Sequence, residues 1–214
     1  MKARMIADFS ETIGVYPGAI APNVCKSIVS TMEECKDEWR RGSTLGGEQL
    51  DSKNTWDISC DEDPRLHRFE EIFTESANTH IEKYLDNWPF QDSYNPYQLL
   101  GGGTHYPCWQ LQKYEKQEGH YNAWHTEEPH LKTNSHRLFV VMWYLNDVTE
   151  GGYTKFLYNQ MQVEPREGTF VCWPAGWPWV HSGSMPISND KYICTTWLQA
   201  DWGPIFDSEG RDTN

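Results

Sequence analysis

Between residues 108 and 199 the chain breaks into short runs of β-branched and aromatic residues: CWQLQKYE, RLFVVMWYLN, YTKFLYN, GTFVCW and KYICTTWLQ. Gly, Pro, Asn and Asp punctuate them. Side chains branched at Cβ or carrying rings fit a pleated, half-buried surface, and the turn formers between them stop each run early. The pattern predicts an antiparallel sheet structure of sandwich or barrel type with helices packed on one side, an α+β chain that is mainly β.

The stretch before residue 100 reads differently. Val24, Ile28, Met32, Cys35 and Trp39 recur at helical spacing, which predicts a helix from about Pro22 to Arg41, stopped by Gly42. A second helix is expected to open at Asp63-Pro64, a capping residue followed by proline at the first helical position. Leu66, Phe69, Phe73, Ile81, Tyr84, Leu85 and Trp88 supply its apolar stripe, and Asn87-Trp88-Pro89 ends it. LLGGGTHYP at 99–107 reads as a turn or loop; it is not followed by a helix and a basic residue, so it is no phosphate cradle.

With 214 residues, one domain with a sizeable core is expected over 1–214, helical support and variable loops filling 1–100 and a β core filling 105–199. Eleven Trp and eleven Tyr are more large aromatics than a disordered chain carries. A net charge of -13 repels phosphate backbones, so no nucleic-acid partner is expected. Six cysteines without a C-x-x-C pair read as free thiols of a reducing compartment. MKARMIADFS lacks the apolar stretch of a signal peptide and no segment has the makings of a membrane span, so the sequence reads as cytoplasmic, with no membrane partner.

The stretch HYNAWHTEEPH at 120–130 carries the chemistry. On an extended strand, residues i and i+2 point to one face, roughly 7 Å apart along the chain, so His125 and Glu127 can converge on one ion. His181, in WPWVHSGS, is the best third ligand. Two imidazoles and one carboxylate on one face of an ion leave positions open, the arrangement suited to non-haem Fe(II). Lys191, ten residues on, opens the last strand and would look into the same cavity, where a buried cation needs an anion such as a dicarboxylate. With 8 His and 31 acidic residues, H-x-E alone recurs by chance; the order H-x-E, His, Lys on strand-like segments gives it weight. His120, His130 and His136 read as surface or loop residues.

Taken together, LQKYEKQEGHYNAWHTE, RLFVVMWYLNDVTEGGYTKF and VEPREGTFVCWPAGWPWVHSG followed by DKYICTTW resemble the 2-oxoglutarate- and Fe(II)-dependent dioxygenases, in their prolyl 4-hydroxylase-like branch. The resemblance covers about 105–199 and implies a double-stranded β-helix core, jelly-roll or cupin-like, with N-terminal supporting helices. It implies His125, Glu127 and His181 as iron ligands and Lys191 and Tyr144 as partners of the distal carboxylate of 2-oxoglutarate. Tyr114 and Thr154 would line the cosubstrate pocket, and Gly151-Gly152 would turn the chain between two core strands with positive φ. Such families usually carry Asp where this chain has Glu127, and Glu128 is the alternative carboxylate.

The resemblance implies Fe(II), 2-oxoglutarate and O2, with ascorbate as an accessory candidate. The reaction would hydroxylate an unactivated C–H, most readily a proline in a peptide or protein, and release succinate and CO2. The substrate would be read by the stretches 42–62 and 89–107. Trp173, Trp177 and Trp179 would either wall a substrate groove or close the end of the barrel. The alternatives are an oxygenase acting on a small molecule or a non-proline protein residue, a cupin-like protein that binds a ligand without turnover, and a zinc hydrolase with the same ligands but no use for Lys191 and Tyr144.

Overall fold

The computed structural model describes residues 10–44, 46–88, 103–127, 136–158 and 160–200. In chain order its elements are β1 (Gly14–Tyr16), α1 (Pro22–Glu34), β2 (Arg40–Arg41), β3 (Ser43–Thr44), β4 (Gly47–Glu48), β5 (Lys53–Asn54), β6 (Trp56–Ser59), α2 (Pro64–His67) and α3 (Glu70–Asp86). The β-rich half follows with β7 (Thr104–His105), β8 (Gln110–Tyr114), β9 (His120–His125), β10 (His136–Tyr144), β11 (Thr154–Phe156), β12 (Met161–Val163), β13 (Phe170–Pro174), β14 (His181–Gly183) and β15 (Lys191–Ala200).

Among the described residues the larger sheet runs β1-β13-β10-β15-β8-β6-β2, with β7 on the end of β15, and the smaller runs β12-β11-β14-β9-β5; both are antiparallel. The two sheets face each other as a double-stranded β-helix, and the helices cover the outer face of the larger one. β10 explains why its sequence reads as a continuous apolar run. Phe139, Val141 and Trp143 pack with Ile28, Met32, Phe73 and Leu85 of the helices, while Val140, Met142 and Tyr144 pack with Phe156 and Trp173 between the sheets. Buried on both faces, a strand loses the polar half of its alternation.

All five expected runs hold strands. The N-terminal part departs from expectation in three places. α1 ends at Glu34 and a 3-10 turn follows at Lys36–Glu38, so the helix does not reach Arg41. Trp39 folds back instead, its indole Nε1 donating to Met32 O at 3.0 Å, and Arg40–Arg41 leave as β2 against β6. The second helix starts as expected, with the Asp63 carboxylate accepting from Arg65 N at 2.8 Å, but breaks at Arg68–Phe69 into α2 and α3. There Phe69 N bonds Leu66 O in a tight turn, and the Arg68 guanidinium leaves to donate to Thr31 Oγ1 on α1 at 2.7 Å. The stretch 42–62, expected as a loop, contributes β3 to β6, and β6 pairs with β8 in the larger sheet. Of the expected loop at 89–107, residues 89–102 lie outside the described residues and Thr104–His105 form β7.

His120 opens β9 and His136 opens β10, both partly exposed; His130 lies outside the described residues. All six cysteines are free, and five of them are buried. Among the described residues no helix is long and apolar enough to cross a membrane.

Candidate metal and cosubstrate site

Strand register assembles the site. In the β9–β14 ladder His181 stands directly opposite His125, and in the β8–β15 ladder Lys191 stands opposite Tyr114. Residues of one parity on β15, from Lys191 through Ile193, Thr195 and Trp197 to Gln199, therefore share one wall with Gln110, Gln112 and Tyr114 of β8. Across from them stand His125 of β9, Thr154 of β11 and His181 of β14. The space between is a cavity of about 720 Å³.

At its open end His125, Glu127 and His181 offer one ligand atom each, all within 4.8 Å of one another. Glu127 lies two residues past the end of β9, tied by its N–H to Ala175 O at 2.9 Å. Its Oε1 is 3.3 Å from His125 Nε2 and 3.8 Å from His181 Nε2. Each histidine turns its other nitrogen to a carbonyl, His125 Nδ1 to Ala123 O at 2.8 Å and His181 Nδ1 to Trp179 O at 3.0 Å. A carbonyl only accepts, so Nδ1 carries the proton and the Nε2 lone pairs converge on Oε1.

Protonation fits this arrangement. Burial holds His181 down to about 4, and the neighbouring His125 adds to the effect. Burial opposes the charge of Glu127; among the groups that pull its pKa down, the Arg137 guanidinium stays charged whatever the state of the two imidazoles. A neutral imidazole and an ionised carboxylate are the forms that bind a metal. The donor set therefore fits a divalent transition ion held on one side. Glu128, the alternative carboxylate, lies outside the described residues.

At the closed end Lys191 is 1% exposed. Its Nζ donates to Gly152 O at 3.2 Å and sits 3.8 Å from the Tyr114 ring centre. Among the described residues no carboxylate pairs with it, and burial alone brings its pKa down to about 7. Gly151 and Gly152 adopt φ of +76° and +71°, and a Cβ on Gly151 would meet Met185 O at 2.4 Å.

The remaining expected residues take different places. Thr154 and Tyr114 line the cavity. The Tyr114 hydroxyl donates to Gln112 Oε1 at 3.1 Å. Tyr144 is fully buried behind Thr154, its hydroxyl 2.6 Å from Thr154 Oγ1 and donating to Val163 O. Trp173 is on the wall, its ring centre 4.9 Å from that of His181. Trp179 donates through Nε1 to Thr12 Oγ1, and Trp177 is 67% exposed, edge-to-face with Tyr158.

Sequence reasoning missed Arg137, Trp197 and Asp57. Trp197 was within reach, because it keeps the parity of Lys191 along one strand. Asp57 accepts from Lys53 Nζ at 2.9 Å, Thr55 Oγ1 at 2.7 Å, Gln110 Nε2 at 3.1 Å and Gln112 Nε2 at 3.2 Å, a network that joins the 53–57 stretch to β8.

No curated protein sequence matches the chain significantly. Residues 109–199 match the model of the 2OG-Fe(II) oxygenase superfamily. The fold is similar to that of a viral collagen prolyl hydroxylase from Paramecium bursaria Chlorella virus-1, solved as a 2OG complex, at 14% identity over 91% of this chain and 98% of that one, with a TM-score of 0.62. A Pseudomonas putida prolyl-4-hydroxylase is similar at 12% identity over 90% and 95%, TM-score 0.62. A Trichoplax adhaerens prolyl hydroxylase, in complex with a peptide fragment of the hypoxia inducible factor oxygen degradation domain, is similar at 12% identity over 90% and 84%, TM-score 0.67. Residues 109–199 thus match the 2OG-Fe(II) oxygenase superfamily model, and the chain shares the fold of these prolyl hydroxylases.

Proposed function

We propose that the chain is a 2-oxoglutarate- and Fe(II)-dependent dioxygenase that hydroxylates an unactivated C–H, with a proline of a peptide or protein as its substrate. The family implies Fe(II), 2-oxoglutarate and O2. One observation carries the assignment of residues: three metal-binding atoms at one end of a cavity and, at the other, a buried ammonium with no carboxylate partner among the described residues. His125, Glu127 and His181 would hold the iron. Lys191 would bind the distal carboxylate of 2-oxoglutarate, a charge-assisted pair that is strong in a dry pocket. Thr154 and Tyr114 would flank that carboxylate, with Tyr144 acting through Thr154. When bound, the iron and cosubstrate supply the oxidising power; the protein orients the partners and excludes water.

The prolyl assignment draws on the fold shared with prolyl hydroxylases, one of them solved with a peptide. The second reading, a small polar molecule as substrate, draws on the polar wall of Gln110, Gln112, Thr195 and Gln199. The chain would work as one functional domain, with β1, β2 and β6 from its first part completing the larger sheet. Ascorbate would serve as an accessory reductant. The free thiols support a cytoplasmic location.

The test is succinate formation from 2-oxoglutarate with Fe(II) and ascorbate, followed by a mass-spectrometric search for an added oxygen in proline-containing peptides. Wild type should turn over and His181→Ala should not. Equal turnover in the two would end the oxygenase assignment, and oxygen added only to small molecules would favour the second reading.

A further inference from the structure

The two oxygens of the Glu127 carboxylate have separate partners. Oε1 faces the two imidazoles. Oε2 accepts from Arg137 Nη1 at 2.8 Å and from Trp197 Nε1 at 3.1 Å. The guanidinium in turn lies on the Trp197 indole, with Cζ 3.6 Å from the ring centre. A glutamate has one more rotatable bond than an aspartate, so more freedom must be removed to aim it. An unrestrained carboxylate can also offer both oxygens to one ion.

We propose that Arg137 and Trp197 are positioning residues that engage Oε2 of Glu127 and so present a single oxygen to the metal. The inference rests on the reading of His125, Glu127 and His181 as ligands.

The strand geometry behind Arg137 supports it. On β10 the even residues Val140 and Met142 face the cavity and the odd residues Phe139 and Val141 face the helices. Strict alternation would turn Arg137 toward the helices. The β10–β15 ladder shifts register between Arg137 and Phe139, and Leu138 packs on the helix side beside Phe139. The extra residue reverses the parity, and Arg137 joins the cavity wall. A bulge next to a site re-aims a side chain in this way.

The test is Co(II) titration of metal-free protein, read both as an affinity against a competing chromophoric chelator and as the visible d–d spectrum. Trp197→Phe keeps an aromatic ring near the guanidinium and removes the N–H along with the five-membered ring that carries it; Arg137→Met removes the charge. Each should weaken Co(II) binding by about 10-fold or more and alter the d–d bands as the second oxygen becomes free to coordinate. In a Glu127→Ala background neither should weaken binding further, because nothing is left to aim. Should Arg137→Met fail to fold, Trp197→Phe carries the test. His181→Ala separates the two levels of the argument. If it binds Co(II) like wild type, the ligand reading fails. If it loses binding while Trp197→Phe and Arg137→Met keep the wild-type affinity and spectrum, the positioning role is wrong. Equal weakening in the Glu127→Ala background would also overturn it, since the effect would then bypass Glu127.

Discussion

Lys191 stands directly across the β8–β15 ladder from Tyr114, and its ammonium lies against the face of the tyrosine ring at the closed end of the cavity. Among the described residues this ion meets a ring and one carbonyl, Gly152 O, and no carboxylate. Burial brings its pKa from 10.5 down to about 7, and each unit is worth roughly 1.4 kcal/mol. The unfolded chain keeps the proton up to pH 10.5 while the folded chain releases it above about 7. The burden on stability is therefore present in full below pH 7 and fades as pH rises toward 10.5. Lys191→Met should be more stable than wild type at pH 6.5 by a few kcal/mol, and the gap should narrow at pH 9.5. Melting curves of both proteins at the two pH values check this, and a pH-independent gap would contradict it.

The same shift makes cosubstrate binding a proton-linked event. A dicarboxylate beside Lys191 favours the charged ammonium and raises its pKa again. At pH 8.5 binding of 2-oxoglutarate should take up about one proton, and at pH 6 close to none. Calorimetry in buffers of different ionisation enthalpy measures the uptake directly. Uptake that is equal at both pH values would place the linked group elsewhere.

Tyr114 offers two separable functions. Its hydroxyl donates to Gln112 and its ring faces Lys191. Tyr114→Phe keeps the ring, so it should cost about 1 kcal/mol of stability through the lost hydrogen bond and leave the KM for 2-oxoglutarate nearly unchanged. Tyr114→Leu removes the ring face and should raise that KM, since a desolvated cation–π contact is worth about 2 kcal/mol. Steady-state kinetics on the two variants separate the contributions.

Much of this site was legible because strands make spacing into geometry. His125 and Glu127, two apart, both reach the cavity although Glu127 lies past the end of β9, and Lys191 opens a strand whose alternate side chains line the cavity. The β10 run was legible as a strand because both of its faces are buried. Arg137 was not legible, because a register shift reverses the alternation that would assign its face. Nor was the end of α1, where Trp39 satisfies helical spacing yet spends its indole on a Met32 carbonyl. Asp57 depends on contacts with Gln110 and Gln112 that only the β6–β8 pairing creates.

Gly151 and Gly152 rank differently despite similar φ. Both lie in the left-handed region, where a side chain costs roughly 1–2 kcal/mol. At Gly152 an added Cβ would approach Pro165 and Val148 side chains at 3.3 Å, contacts that small shifts relieve. At Gly151 it would meet the Met185 carbonyl at 2.4 Å, and backbone cannot step aside so easily. Gly151→Ala should therefore lower the urea midpoint more than Gly152→Ala. The reverse order would mean that the β11–β14 side of the turn yields more readily than its packing implies.

Asp57 and Lys53 form an ion pair with side chains 8% and 6% exposed, at the foot of the polar cavity wall. Removing one partner of a buried pair strands the other, at a cost of about 3–5 kcal/mol. Asp57→Ala should show that loss, and it should also release the amides of Gln110 and Gln112, which both donate to the same carboxylate oxygen. Lys53→Met leaves Asp57 with three of its four donors, so it should cost less. The double variant Lys53→Met/Asp57→Leu should recover part of the Asp57→Ala loss, because no unpaired charge remains. Urea unfolding of the three variants tests the ranking. If Lys53→Met proves as damaging as Asp57→Ala, the ammonium rather than the carboxylate is the centre of the network.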